Sequence, residues 1–174
     1  GFSQITAALA LYRWPWQWRA EDRMTDFSLV GDIGGTNSRF GLVKQGSMAI
    51  QHMEALRNDS FPSLEGAIQQ YLRNREVASL SSAAIAVAAP VDREHISLTN
   101  YGWSFTNESL RLAAKARRLR LLNDYEALAL SLPHLKGDDL VQIGGQESSV
   151  PRLKIVMGPG TGLGMAALAP LPQG

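Results

Sequence analysis

Residues 29–43 read Leu-Val-Gly-Asp-Ile-Gly-Gly-Thr-Asn-Ser-Arg-Phe-Gly-Leu-Val, two apolar runs closed around a knot of glycine, aspartate and threonine. Residues 27–31 and 39–43 are short and rich in strand formers, which predicts two strands hinged by a tight glycine turn. Glycines let a backbone approach a ligand closely, and successive N–H groups in such a turn form a concave anion site. Phosphate is the natural guest, since each charge-assisted hydrogen bond to it is worth about 1.5–3 kcal/mol. Asp32 is then the odd residue. A carboxylate aimed at phosphates repels them unless a cation intervenes, so its presence implies Mg²⁺ held through the metal's own waters. The same residues also read as a plain glycine-rich turn whose aspartate accepts turn N–H groups.

Outward from this point, residues 49–56 supply a third strand. Leu64, Ala67, Ile68, Tyr71 and Leu72 then make a helical stripe with Ser63 as its cap. Residues 83–89 form a continuous apolar run stopped by Pro90, which suits a strand buried on both faces. Residues 96–100 pair nearby. Thr106 caps a helix running to about Ala116, residues 119–122 read as another buried strand, and residues 125–132 as a helix closed by Pro133. The predicted order is three strands, then helix, strand, helix, strand, helix. Residues 134–151 are loose and polar and read as a hinge. Residues 154–157 begin a new strand leading into Gly158-Pro159-Gly160-Thr161-Gly162-Leu163-Gly164 and the apolar Met-Ala-Ala-Leu-Ala. This echo of the opening segment points to two related lobes, each offering one glycine turn to a shared cleft.

The bulk numbers exclude several classes. Among 174 residues, 17 basic and 16 acidic side chains leave a net charge of +1, so no global field recruits nucleic acid or an anionic membrane. No apolar run approaches the ~20 residues of a membrane span. Cysteine is absent, which removes disulfides and thiolate metal sites and fits the cytoplasm. Residues 1–23 hold three of the four tryptophans and precede a Met24 that reads as an ordinary start. Their charge follows the apolar stretch instead of leading it, unlike a signal peptide. They are expected to be a disordered or non-native extension. The basic run Arg111, Lys115, Arg117, Arg118 and Arg120 reads as a solvated helix face, and His52, His95 and His134 show no ligand spacing.

Two further segments carry polar groups at strand ends. Asn123-Asp124 follows a buried strand and opens a helix, where it faces a crevice or serves as a helix cap. Asn100, in Leu-Thr-Asn-Tyr-Gly-Trp-Ser-Phe, recognises a hydroxyl or makes an Asx turn. Trp103 and Phe105 read as wall or core. No P-loop is present, and Gly158, Gly160, Gly162 and Gly164 are spaced by twos, which demotes a dinucleotide fold.

Taken together, these four ordered motifs resemble a bacterial glucokinase of the non-repressor type, within the acetate and sugar kinase, chaperone and actin superfamily. The resemblance runs from about Asp26 onward. It implies a ribonuclease H-like, actin-type ATPase domain of α/β class (βββαβα), with a mixed five-stranded sheet and helices on both faces. Residues 24–134 would be the small N-terminal lobe, and residues 135–174 the hinge and first strands of a larger lobe. It implies ATP-dependent phosphorylation of glucose at its primary hydroxyl, the entry step of glycolysis, with Asp124 as general base. Asn100, Asn123 and Asp124 would bind the sugar. Gly31, Asp32, Ile33, Gly34, Gly35, Thr36 and Asn37, with Gly160, Thr161 and Gly162, would cradle ATP, and Asp32 would organise Mg²⁺. Tyr125 departs from the Phe often found there and is expected to leave the chemistry undisturbed. A Glu-Gly-Gly-His sugar segment and a nucleotide-base pocket are missing, so the chain is expected to be an N-terminal fragment with little or no kinase activity, homodimeric at full length. Two rivals from other classes are a sugar-responsive regulator, which would need a DNA-binding head that the first 23 residues are too short to supply, and a chaperone- or actin-like nucleotide switch without a sugar acceptor.

Overall fold

The computed structural model of the chain describes residues 26–145, 153–159 and 163–170. Its centre is a five-stranded sheet in the order β3-β2-β1-β4-β7, built from β1 (Phe27–Ile33), β2 (Asn37–Lys44), β3 (Ile50–Arg57), β4 (Ser82–Val87) and β7 (Leu119–Asn123). The first three strands form an antiparallel meander, whereas β4 runs parallel to β1 and β7 parallel to β4. The sheet is therefore mixed, as the resemblance implied. Antiparallel strands need only tight turns, while each parallel pairing demands a crossover; here each of the two crossovers carries one helix, and a third helix follows β7.

Those helices are α1 (Leu64–Arg73), α2 (Asn107–Ala113) and α3 (Asp124–Ser131). Leu64, Ala67, Ile68, Tyr71 and Leu72 of α1 are all buried, so the stripe read from the sequence is the face that meets the sheet. Ser63 caps α1 by accepting the Gly66 N–H, and Thr106 with Ser109 forms a reciprocal capping box on α2. Side chains alternate across the strands. Leu29, Ile33, Phe40, Ala83, Ile85 and Leu121 share one core with α1 and α2, while Val30, Val43, Ala84, Ala86 and Leu122 share another with Ala127 of α3. Helices thus cover both faces.

Four features differ from the sequence reading. Strand β1 extends to Ile33, two residues past the expected turn, because Ile33 is buried and pairs with both Ser38 and Val87. Between β4 and α2 lies a hairpin of β5 (His95–Leu98) and β6 (Trp103–Thr106); only the first of these was read as a strand. Its Trp103 and Phe105 are buried in the core. Helix α2 stops at Ala113 instead of about Ala116, since Lys115 turns into the left-handed region (φ 49°) and Ala116 bridges Leu80 in parallel. Helix α3 begins at Asp124 itself. A last hairpin, β8 (Lys154–Pro159) with β9 (Leu163–Leu168), packs on α3.

Candidate functional site

Parallel pairing brings three strand ends to one row: Ile33 pairs with Val87, and Val87 with Asn123. The carboxyl ends of β1, β4 and β7 thus open on one side of the sheet, the place where open α/β sheets bind ligands. A cleft of about 730 Å³ lies there, lined by Gly35, Ala88–Pro90, Asn100, Asn123, Asp124, Tyr125 and, on its far wall, Leu163, Gly164 and Met165. Its size is within the roughly 300–1,000 Å³ of ligand pockets. Residues from all four sequence motifs therefore face one space.

The first glycine turn is shorter than the sequence implied. Gly34 N–H donates to the Asn37 carbonyl (3.0 Å), leaving only Gly35 and Thr36 as a two-residue loop, both exposed. A Cβ on Gly35 would stand 3.2 Å from Asn100 Nδ2, so the bare backbone is what lets the β5–β6 loop approach the turn. Gly31 and Ile33 lie inside β1, not in the turn. The Phe40 ring covers Gly31, and Ile33 packs in the core, so both shape the strand beneath the cleft. Asn37 opens β2. Gly160, Thr161 and Gly162 lie outside the described residues.

Asp32 also belongs to the strand. It is buried and pairs across the β1–β2 ladder with Arg39, whose guanidinium lies 3.6 Å from its carboxylate. The cation that the sequence argument required is in part the chain's own. Burial still holds Asp32 above the ordinary carboxylate range; Arg39 opposes the rise, and the nearby Asp124 charge adds to it. Among the described residues no cluster of three or more metal-ligating side chains occurs, so a cation here would rest on a carboxylate and a ligand's own oxygens. That donor set suits Mg²⁺, which commonly binds through one or two carboxylates plus phosphates.

Asn123 and Asp124 divide the end of β7 between them. Asn123 Oδ1 accepts the Tyr125 N–H (3.0 Å) as the cap of α3, and its Nδ2 donates to the Ala89 carbonyl (3.2 Å). The capping reading is therefore realised, and one amide hydrogen is left for a ligand. Asp124 Oδ1 accepts the same Tyr125 N–H (3.0 Å), and the carboxylate lines the cleft. Burial raises its pKa, with the Tyr125 N–H pulling the other way.

Sequence reading missed Asn58, which sits after β3 in a polar Asn-Asp-Ser turn that looks like any loop. It is 1% exposed. Its N–H donates to the Thr36 carbonyl (3.0 Å), its Nδ2 to the Gly34 carbonyl (2.9 Å), and its Oδ1 accepts from buried Ser38 Oγ (2.7 Å). One side chain thus fixes the turn from behind. No local pattern marks it, because its partners are some twenty residues away.

Residues 29–174 match the sequence profile of the glucokinase family. A curated glucokinase of Marinobacter nauticus is 42% identical over 148 residues, covering 85% of this chain and 46% of that protein. A second, from Ralstonia nicotianae, is 41% identical over 150 residues, covering 84% and 44%. Among solved structures, a glucokinase from an Antarctic psychrotroph superposes with a TM-score of 0.74 at 33% identity, covering 84% of this chain and 47% of that one. The chain spans a little under half the length of these relatives. With the motifs in order, the mixed sheet formed and the profile matched over most of its length, the chain belongs to the glucokinase family.

Proposed function

We propose that this chain forms the sugar side and the first phosphate turn of an enzyme that transfers the γ-phosphoryl group of ATP to the primary hydroxyl of glucose. The observation that carries the reading is the meeting of Gly35, Asn100, Asn123 and Asp124 around one cleft at the strand ends. Asp124 is the general base. As the hydroxyl oxygen attacks the γ-phosphorus, its proton passes to the Asp124 carboxylate, the bond from the γ-phosphorus to the bridging oxygen breaks, and ADP leaves. A base of this kind contributes about 10²–10⁴ in rate, the larger share coming from alignment and charge stabilisation. Burial suits Asp124 to the task, because a carboxylate whose pKa is pushed upward is a stronger base in its ionised form.

Asn100 and the remaining amide hydrogen of Asn123 bind sugar hydroxyls. The backbone of Gly34–Thr36 and, in the second turn, Gly160–Gly162 cradle the phosphates. Asp32, with Arg39 beside it, is the residue that would hold Mg²⁺, which supplies charge neutralisation at the phosphates when bound. No described helix is long and apolar enough to cross a membrane, and a cytoplasmic setting is where both substrates would be met.

The test is glucose-dependent ADP release by the complete product of the gene encoding this chain. The parent should release ADP only with a hexose present, and Asp124→Asn should cut release by about a hundredfold or more while still binding a non-hydrolysable ATP analogue. ATP hydrolysis indifferent to glucose would instead identify a nucleotide switch.

A further inference from the structure

Tyr125 has two attachments that the proposed chemistry does not use. Its backbone N–H is shared between Asn123 Oδ1 and Asp124 Oδ1, so the residue is tied to the carboxylate that lines the cleft. Its side chain leaves α3 and lies on the β8–β9 hairpin, where Gly158 and Gly164 stand directly opposite each other across the two strands. A Cβ on Gly158 would lie 2.6 Å from the Tyr125 hydroxyl, and one on Gly164 would overlap the ring. The paired glycines therefore form a notch that only the ring fills. The hydroxyl adds a hydrogen bond to the Gly158 carbonyl (2.8 Å). On the cleft side of this contact, Leu163, Gly164 and Met165 form the wall that faces Asp124.

From this geometry we infer that Tyr125 is a positioning residue: its ring, seated in the Gly158–Gly164 notch, sets the distance between the β9 wall of the cleft and the Asp124 carboxylate. The inference rests on the kinase reading above and extends it to how the phosphoryl donor is held in line with the base. Alignment is where a phosphoryl-transfer enzyme gains most of its rate, and a small displacement of one wall is felt in turnover before it is felt in sugar affinity.

The experiment compares Tyr125→Leu, Tyr125→Phe and Gly164→Ala in the complete gene product. Steady-state kinetics, direct glucose binding and thermal melting are read for each. Tyr125→Leu should lower kcat and raise KM for ATP, with kcat/KM for ATP down about tenfold or more, while glucose affinity stays within about twofold. Tyr125→Phe keeps the ring and should restore kcat/KM to within about threefold of the parent, the loss expected of one hydrogen bond. Gly164→Ala evicts the ring with Tyr125 intact and should reproduce the Tyr125→Leu pattern. A Tyr125→Leu protein that melts earlier yet keeps parental kcat and KM would overturn the inference and reduce the contact to packing. A parent without glucose-dependent ADP release would sink the kinase reading and this one with it, and that result is visible before any variant is made.

Discussion

Asn58→Ala isolates the support of the glycine turn. The substitution leaves the Asn58 N–H bond to Thr36 in place but removes the side-chain bonds to Gly34 O and Ser38 Oγ. Ser38 is fully buried, so its hydroxyl has no ready access to water. A buried polar group left unpaired costs about 1–3 kcal/mol, and two such groups give about 2–6 kcal/mol, less whatever water recovers at the half-buried Gly34 carbonyl or in the vacated space. Against a typical total of about 5–15 kcal/mol this is a large fraction. Urea unfolding should show it as a midpoint lowered by on the order of 1–2 M at an unchanged slope, taking a slope of about 1–3 kcal/mol per M. Ser38→Ala in the same background supplies a double-mutant cycle, and the pair should couple by at least about 0.5 kcal/mol because they share one bond. In the kinase assay the same variant should raise KM for ATP more than that for glucose, since the turn it supports faces phosphate in the proposed reading. An Asn58→Ala protein within about 0.5 kcal/mol of the parent, with no change in slope, would show that the turn is held by its own ladder and that the reasoning fails.

Three further outcomes follow from the same geometry. Asp124→Asn should reduce turnover by about 10²–10⁴, yet leave neutral-pH stability equal to or above the parent in a melting experiment, because burial works against the ionised carboxylate. The sign of that linkage is definite: a folded pKa above 3.8 means the folded chain holds more protons than the unfolded one just above that value, so the Asp124 penalty is absent below pH 3.8 and develops as pH rises through the raised value. In kinetics the same shift should set the acid limb of kcat/KM above the ordinary carboxylate range, with activity falling as pH drops through it; a limb at or below 3.8 would exclude Asp124 as the titrating base. Gly35→Ala should push Asn100 outward and raise KM for glucose several-fold with little loss of stability, since its Cβ meets only the tip of one side chain at 3.2 Å.

Much of the fold was legible because its signals are local. Ser63 and Thr106 announce their helices within four residues, and the α1 stripe has the period of its own buried face. The reach of β1 to Ile33 was not legible, because it depends on a partner distant in sequence: Ile33 is strand because Val87 lies beside it. The β5–β6 hairpin is local, but its second strand is only four residues long and its apolar Trp103 and Phe105 read equally well as wall or core. The site divides in the same way. Asn100, Asn123 and Asp124 stand at strand ends, where a polar residue after an apolar run is visible, and the structure gathers all three at one cleft. Asp32 shows the limit. Read along the chain it looks like a lone carboxylate among glycines in need of a metal. Across the ladder it faces Arg39, seven residues later, and only pairing register reveals that. Asn58 is less visible still, since nothing near it in sequence states that the turn it supports lies twenty-four residues earlier.

The two carboxylates of the site can be told apart by what holds them. Burial lifts both above their usual range. Asp32 is the more deeply placed, and its charge is answered by the Arg39 guanidinium from the neighbouring strand. A proton arriving there would give up that ion pair. Asp124 has no charged partner that lowers it; the Tyr125 N–H, its own N–H and the Asn123 side chain favour its ionised form, and the carboxylate lines the cleft. Protonating Asp124 relieves a burial penalty and weakens hydrogen bonds from uncharged donors, whereas protonating Asp32 also gives up an ion pair. In the proposed reading, two acids so differently placed take different roles, Asp32 paired with Arg39 beside the phosphate turn and Asp124 at the cleft as the base. That asymmetry supports the proposed choice of Asp124 as the base. In that reading Asp32, with Arg39 beside it, is the carboxylate that would meet a cation arriving with the phosphates.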